Sequence, residues 1–133
     1  MNQIDIEVLD RVSVSLPIEY IARFAYKIIQ AYCLAIGDNT QTSWNDIPDW
    51  KKETVIDGVK FHLNNPNATP EQSHENWKKH KIQQGWVYGP TKDDDNKTHP
   101  CIVDSYSDLP LKERVKDYLF AQTVRNFLLT SIK

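Results

Sequence analysis

The sequence predicts a mainly α-helical domain of about four helices, with a small two-stranded β-hairpin between the third helix and the last one. Three observations lead to this fold class. Apolar residues recur every three or four positions in most of the chain, which is the period of a helix face. Pro and Gly stand at the starts and ends of these runs. A short aromatic segment, Gly85-Trp86-Val87-Tyr88-Gly89, has glycines that are typical of turns around a strand.

Length and charge limit the class of protein. The chain has 133 residues and a net charge of -2, enough to bury a core as one domain. We assign residues 15–133 to this domain and residues 1–14, which alternate weakly, to a tail or a short strand. The near-neutral charge argues against a nucleic-acid partner, which normally meets a basic stripe. The lack of a secretory leader and of a long apolar run predicts no membrane partner and a cytoplasmic location.

The first helix is predicted to run from about Pro17 to Gly37. Pro suits a first helical turn because the N–H it lacks would have no partner there. Gly is favoured just after a helix end because it adopts positive φ at little cost. The apolar positions between them follow the helix period: Ile18, Ile21, Ala22, Ala25, Ile28, Ile29, Tyr32 and Ile36.

The next two helices also have sequence boundaries. The second is predicted to begin at about Asp46 and to end before Pro66. The third begins at Thr69-Pro70-Glu71-Gln72, which combines a capping box with Pro at the first helical position, and ends at Gly85. One face of this third helix is unlike a core face, since it presents His74, Trp77, Lys78 and Lys81.

The hairpin and the last helix complete the predicted fold. Residues 86–88 and 101–103 flank a charged loop and are predicted to pair, with support from the helices. The last helix begins near Asp108-Leu109-Pro110. From Tyr118 to Leu129 it is apolar around much of its circumference, which is typical of a central helix or of one that contacts a partner chain. A homodimer through this C-terminal helix is therefore one interpretation.

Enzymatic and metal sites are only weakly indicated. Nucleophilic catalysis requires a Ser, Cys or Lys beside a base, and the nearest pair, His99 and Cys101, is interrupted by Pro100. The three adjacent Asp of residues 93–95 lack the ligand spacing of a calcium loop. The His and Cys residues lack zinc-site spacing. We predict a protein that is not an enzyme and has no metal or cofactor.

The strongest candidate site is a group of aromatic and basic residues near the predicted hairpin. Aromatic faces can stack on a nucleobase, and Lys and His can donate hydrogen bonds to phosphate or carboxylate oxygens. The alternative is that the same rings only pack the hairpin against the third helix. The group consists of Trp77, Lys81, Trp86, Tyr88, Lys92, Lys97 and His99.

These residues resemble the ryanodine-receptor repeat, or RyR domain. The likeness covers about residues 70–130, the core repeat, and residues 18–69 resemble the leading helices of small bacterial and phage members. One departure is Val103-Asp104-Ser105-Tyr106, which is one residue longer than the family's Val-Pro-Tyr and lacks its Pro. The segments that carry the resemblance are His74-Glu75-Asn76-Trp77, Gly85-Trp86-Val87-Tyr88-Gly89-Pro90, Asp93, Lys97-Thr98-His99-Pro100-Cys101-Ile102-Val103, Tyr106 and Leu109-Pro110.

The resemblance implies a helical domain that binds, senses or sequesters a nucleotide-derived ligand without chemistry. It makes Trp77 the first candidate for ligand contact and adds Tyr106, whose loop differs from the family pattern. The alternative function is a protein–protein interaction module or a homodimer with no small ligand. The candidate ligand-binding residues are Trp77, Lys81, Trp86, Tyr88, Lys97, His99 and Tyr106.

Overall fold

The computed structural model describes residues 17–128, so the predicted tail of residues 1–14 lies outside the described residues. The described chain confirms the mainly α fold class. No helix within it has the length and apolar content needed to cross a bilayer. Its elements in chain order are α1 (Ile18–Ala35), a 3-10 turn (Trp44–Asp46), α2 (Asp49–Asn64), α3 (Pro70–Gln83), β1 (Val87–Tyr88), β2 (Thr98–His99), a second 3-10 turn (Tyr106–Asp108) and α4 (Leu111–Arg125).

The predicted end of α1 is confirmed as a Schellman motif. Gly37 has φ of +92°, and its N–H donates to the carbonyl of Leu34 at 3.1 Å. The N–H of Asp38 donates to the carbonyl of Cys33 at 2.8 Å. This pair of bonds satisfies carbonyls that the end of the helix would otherwise leave without a partner.

Helices α1, α2 and α4 enclose the main apolar core, with the first 3-10 turn covering one side. Gly58 of α2 allows close packing there, since a Cβ at this position would lie 3.0 Å from Cζ of Phe120. We name the fully packed cluster the helical core. Its buried members are Ile21, Ala22, Tyr26, Trp44, Ile47, Val59, Leu63 and Val124.

The apolar circumference of α4 is explained largely by packing within the chain. Ala121 and Val124 are buried, and Phe120 packs against the helical core. Tyr118 is exposed. A homodimer through this helix stays a prediction. The exposed ring of Tyr118 would lie in its interface.

The small sheet differs from the predicted hairpin, because its two strands run parallel. Val87 lies opposite Thr98 and Tyr88 opposite His99, and the intervening loop reverses at an antiparallel bridge between Asp93 and Thr98. Gly89 permits this approach, since a Cβ there would lie 2.6 Å from Cβ of Thr98.

The second strand also ends earlier than predicted, so residues 101–103 are not part of the sheet. The N–H of Cys101 donates to Nδ1 of His99 at 3.0 Å, and the N–H of Ile102 donates to the carbonyl of His99. Pro100 has no N–H to offer a ladder. These local bonds form a turn where the sequence predicted a strand.

Candidate ligand-binding site

The site begins with the end of α3, which is a second Schellman motif. Gly85 has φ of +93°, and its N–H donates to the carbonyl of Ile82 at 3.0 Å. The N–H of Trp86 donates to the carbonyl of Lys81 at 3.0 Å. This motif commonly brings the side chains of its two outer residues together in an apolar contact. Here the contact is a cation–π pair, with Lys81 Nζ 4.7 Å from the centroid of the Trp86 ring.

A second tryptophan covers the other side of the same ammonium group. Trp50, in the first turn of α2, places its ring centroid 4.6 Å from Nζ of Lys81, and the Trp50 and Trp86 rings are 5.6 Å apart. Lys81 is 5% exposed and Trp86 is 2% exposed. A lysine buried to this degree is unusual unless it is paired.

The charge of Lys81 has no anionic partner. Among residues 17–128, no oxygen forms a hydrogen bond or an ion pair with its ammonium group. Burial, and then the nearby charges of Lys92 and Lys51, lower the pKa of Lys81 to about 8. The group is therefore still mostly protonated at neutral pH, and its charge is only partly compensated by the aromatic faces.

Lys81 faces a cavity of about 240 Å³ between α2, α3, α4 and the loop that follows β1. The walls are mainly aromatic and apolar, and charged groups lie at several points around them, as in many small-molecule sites. A wider depression of about 650 Å³ shares several of the same residues. The lining residues that matter here are Trp50, Lys51, His74, Trp77, Lys81, Lys92, His99, Glu113, Lys116 and Asp117.

The two other lysines near Lys81 are held differently. Lys51 donates to Oε1 of Gln41 at 3.3 Å, and burial followed by the charge of Lys92 lowers its pKa. Lys92 pairs with the exposed Asp94 at 2.8 Å. The cavity therefore has a cationic end in which Lys81 is the most buried charge.

The middle of the cavity is formed by Trp77. Its ring centroid lies 4.9 Å from that of His99, edge to face, and 5.2 Å from that of His74. Burial, with Lys92 and Lys81 nearby, lowers the pKa of His99 to about 4. His99 is therefore neutral at physiological pH, which leaves the positive charge at this end to the lysines.

The far end of the cavity is acidic. The hydroxyl of Tyr106 donates to Oδ2 of Asp117 at 3.1 Å, and burial raises the pKa of Asp117 to about 7. Nε2 of His74 donates to the carbonyl of Cys101 at 3.0 Å, and burial lowers the pKa of His74. Nδ1 of His74 lies 3.8 Å from Oδ2 of Asp117, too far for a hydrogen bond, and burial disfavours the charged form of both groups.

The predicted residues divide into three groups. Trp77, Lys81 and His99 line the cavity. Trp86 lies behind Lys81, and Tyr106 holds Asp117 from behind. The other two predicted residues, Tyr88 and Lys97, are exposed and are not part of the cavity wall.

The positions of Tyr88 and Lys97 have local causes. Tyr88 is the second residue of a two-residue strand that is exposed throughout. Lys97 donates from Nζ to the carbonyl of Gln84 at 2.8 Å, so it satisfies the C-terminal end of α3. Its backbone has φ of +56°, which fits a tight turn.

Among the charged and aromatic lining residues, sequence reasoning missed Trp50, Lys51, Glu113, Lys116 and Asp117. Trp50 carried a signal, since a tryptophan in the polar first turn of α2 lies off the apolar stripe of that helix. Lys51 and Asp117 resemble ordinary charged residues of amphipathic helices. Only the packing of α2 and α4 against α3 shows that they face a cavity.

The His99–Cys101 pair does not form a nucleophile–base arrangement. Nδ1 of His99 accepts from the backbone N–H of Cys101, and the thiol lies 3.5 Å from Oε1 of Glu113. Burial and the charge of Glu113 raise the pKa of the Cys101 thiol to about 12. A thiol with this pKa stays protonated and is a poor nucleophile at neutral pH.

A protein-family model described as the RyR domain matches residues 61–132. The chain belongs to the RyR domain family. The matched RyR segment contains α3, both strands and α4, and with them Trp77, Lys81, His99 and Asp117. Trp50 precedes the matched segment, so the part of α2 outside that segment also contributes to the cavity of this RyR protein.

Proposed function

We propose that this RyR-domain protein binds a small anionic ligand that carries a flat ring, with nucleotide-derived compounds as the class, and that it senses or sequesters this ligand without changing it. The observation that supports this proposal most directly is Lys81, a buried ammonium group that faces a cavity and has no anion within the described chain. An unpaired buried charge lowers stability, and a protein that retains one gains if an anion from solution pairs with it.

The rest of the cavity suits the same class of ligand. Lys51 and Lys92 lie beside Lys81 and can donate further hydrogen bonds to phosphate oxygens. Trp77 presents an aromatic surface next to this cationic end, and base–aromatic stacking contributes about 1–3 kcal/mol per base. An anion with an attached ring would use both features at once.

Calorimetric titration with adenine and cyclic nucleotides tests the proposal. The wild type is expected to bind at least one of them, and Lys81→Met is expected to abolish binding, because it removes the charge and keeps a long apolar side chain. The matched control is Lys97→Met, which removes a lysine outside the cavity and should leave binding unchanged. No binding to the wild type at millimolar concentrations, or equal binding by Lys81→Met, would overturn the proposal.

A second pair of variants separates ligand contact from packing. Trp77→Ala should lose binding while its far-UV spectrum stays helical, because Trp77 is only partly buried and lines the cavity. Tyr88→Ala removes an exposed ring outside the cavity and should bind normally. Unfolding of Trp77→Ala would instead support the interpretation that this ring serves packing alone.

A further inference from the structure

The cavity has two chemically different ends, and α3 fixes the distance between them. His74, Trp77 and Lys81 lie on one face of this helix, at positions i, i+3 and i+7. A rise of 1.5 Å per residue places Lys81 and His74 about 10 Å apart along the axis. Trp77 lies between them. The cationic group therefore stands at one end of the tryptophan surface, and the His74–Asp117 pair stands at the other.

Asp117 can accept hydrogen bonds from a ligand. Its Oδ2 is held by the hydroxyl of Tyr106, while no group among residues 17–128 donates to its Oδ1. Lys116, whose charge acts on Asp117, pairs with Glu113 at 3.0 Å. The side chain of Asp117 is 17% exposed and lines the cavity. Asp117 and the unpaired Lys81 thus line the same cavity.

The two ends determine the orientation of an anionic ligand. A phosphate near Asp117 would meet a carboxyl group that repels it when ionised and offers at most one donor when protonated. At the other end of the cavity it would meet Lys51, Lys81 and Lys92. The oxygen of Asp117 that Tyr106 does not hold can accept a hydrogen bond from an N–H donor on a ligand. The ring of the ligand, lying on Trp77, would direct its edge toward Asp117.

We propose, as a refinement that rests on the proposed function, that Asp117 selects the ring of the bound anion. Its carboxyl accepts a hydrogen bond from an amino group on the ring edge, while Lys81 holds the anionic group at the opposite end of the cavity. The ligand class is accordingly an aminated purine or pyrimidine that carries a phosphate. Tyr106 is a positioning residue in this scheme, since it fixes the Asp117 carboxyl from behind.

The test compares probes that differ in one amino group. Adenosine 5′-monophosphate is titrated beside purine riboside 5′-monophosphate, which lacks the 6-amino group, and cytidine 5′-monophosphate beside its 4-desamino analogue. Inorganic pyrophosphate reports on the cationic end alone. In at least one pair the wild type should bind the aminated member about tenfold more tightly, as the loss of one hydrogen bond implies.

Two variants assign this preference to Asp117. Asp117→Leu should bind the aminated and the desamino member of each pair with about equal affinity. Its affinity for pyrophosphate should be unchanged. Asp117→Asn should keep much of the preference, because its amide oxygen can still accept the hydrogen bond. A merely structural role for Asp117 would instead weaken pyrophosphate and both nucleotides together.

The outcomes separate this inference from the proposed function. Binding of pyrophosphate without any preference for aminated probes in the wild type would overturn the role of Asp117 and leave the anion site intact. A preference that survives Asp117→Leu would do the same. If the wild type binds none of the probes, pyrophosphate included, both the proposed function and this inference fail. If Asp117→Leu does not fold, the comparison of aminated and desamino probes on the wild type still tests the inference.

Discussion

The helical core and the cavity bury polar groups in opposite ways. In the helical core, His62 of α2 is fully buried, its Nε2 lies 2.8 Å from Oγ of Ser73, and burial lowers its pKa to about 4. It is neutral and packs on Phe120, and its Nδ1 is buried without a hydrogen-bond partner among the described residues. In the cavity, Lys81 is buried to a similar degree but keeps a charge and has no polar partner within the described chain.

This difference separates a buried group that packs within the fold from one that faces the cavity. A neutral histidine with one ring nitrogen hydrogen-bonded costs less free energy to bury than a charged group. A lysine without an anion costs more, and aromatic faces offset only part of that cost. His62 thus adds no charge to the interior, whereas the cavity retains a charge that no anion of the described chain pairs. The predictions below test this comparison in order of expected effect.

The largest effect is expected for loss of core packing. Ile21→Ala should lower the free energy of unfolding by about 2–5 kcal/mol, because Ile21 is fully buried and its removal leaves a cavity. The matched control is Ile82→Ala on α3, where the side chain is 50% exposed, with a change within about 0.5 kcal/mol. Urea unfolding measures both. Equal losses would contradict the assignment of the core to α1, α2 and α4.

The next effect concerns the charge of Lys81. Because its pKa is about 8 in the folded protein and 10.5 as a free side chain, the unfolded chain binds the proton more tightly. This group therefore destabilises the fold below pH 8, and stability is regained as pH rises from about 8 to 10.5.

The expected size of this effect is up to about 3 kcal/mol, from 1.36 kcal/mol per pKa unit. Lys81→Met should lack this component. The difference in unfolding free energy between wild type and variant, measured by urea unfolding across that pH window, reports it without contributions from other groups. If this difference in unfolding free energy did not change with pH, the pKa of Lys81 would not be lowered in the folded protein, and the prediction would be wrong.

A smaller effect compares the two Schellman motifs. Gly37 and Gly85 both have φ near +90°, so Gly37→Ala and Gly85→Ala should each lower stability by about 1–2 kcal/mol. Gly85→Ala alone should also weaken anion binding, because this motif places Trp86 on Lys81. Thermal unfolding and calorimetric titration measure the two properties. If Gly37→Ala weakened anion binding as much, the link between the turn and the site would be disproved.

The smallest effect is expected at the exposed strand. Tyr88 is 58% exposed and lies outside the cavity, so Tyr88→Ser should change stability by no more than about 0.5 kcal/mol and leave ligand affinity unchanged. Urea unfolding and titration check this expectation. A clear loss of affinity would return Tyr88 to the site and extend the site beyond the cavity wall.

Local sequence signals predicted the boundaries of α1 and α3 well, whereas α2 and α4 begin two to three residues later than predicted, at Asp49 and Leu111, because Asp46 and Asp108 lie in 3-10 turns. Thr69 and Gln72 form the capping box expected from their spacing, and Gly37 and Gly85 end their helices. These features depend on interactions within a few residues, so a sequence pattern is sufficient to predict them. The face of α3 that presents Trp77 and Lys81 followed in the same way from helical spacing.

Non-local features were predicted less well. The parallel register of Val87 with Thr98 depends on how the intervening loop reverses, and short segments carry no signal for strand direction. Tyr88 and Lys97 were included in the site because they are close to it in sequence. The structure directs one side chain to solvent and uses the other to satisfy a helix end.

The sequence by itself determined the four helices, the ends of α1 and α3, the family and the helix face on which Trp77 and Lys81 lie. Helical periodicity and capping are local properties, and the motif residues lie in one ordered segment. Only the tertiary structure placed Trp50 over Lys81 and Asp117 at the far end of the cavity. These contacts join residues more than 30 positions apart, and their positions depend on how helices pack. Packing thus turned an unusual helix face into a site with a cationic end and a carboxyl end.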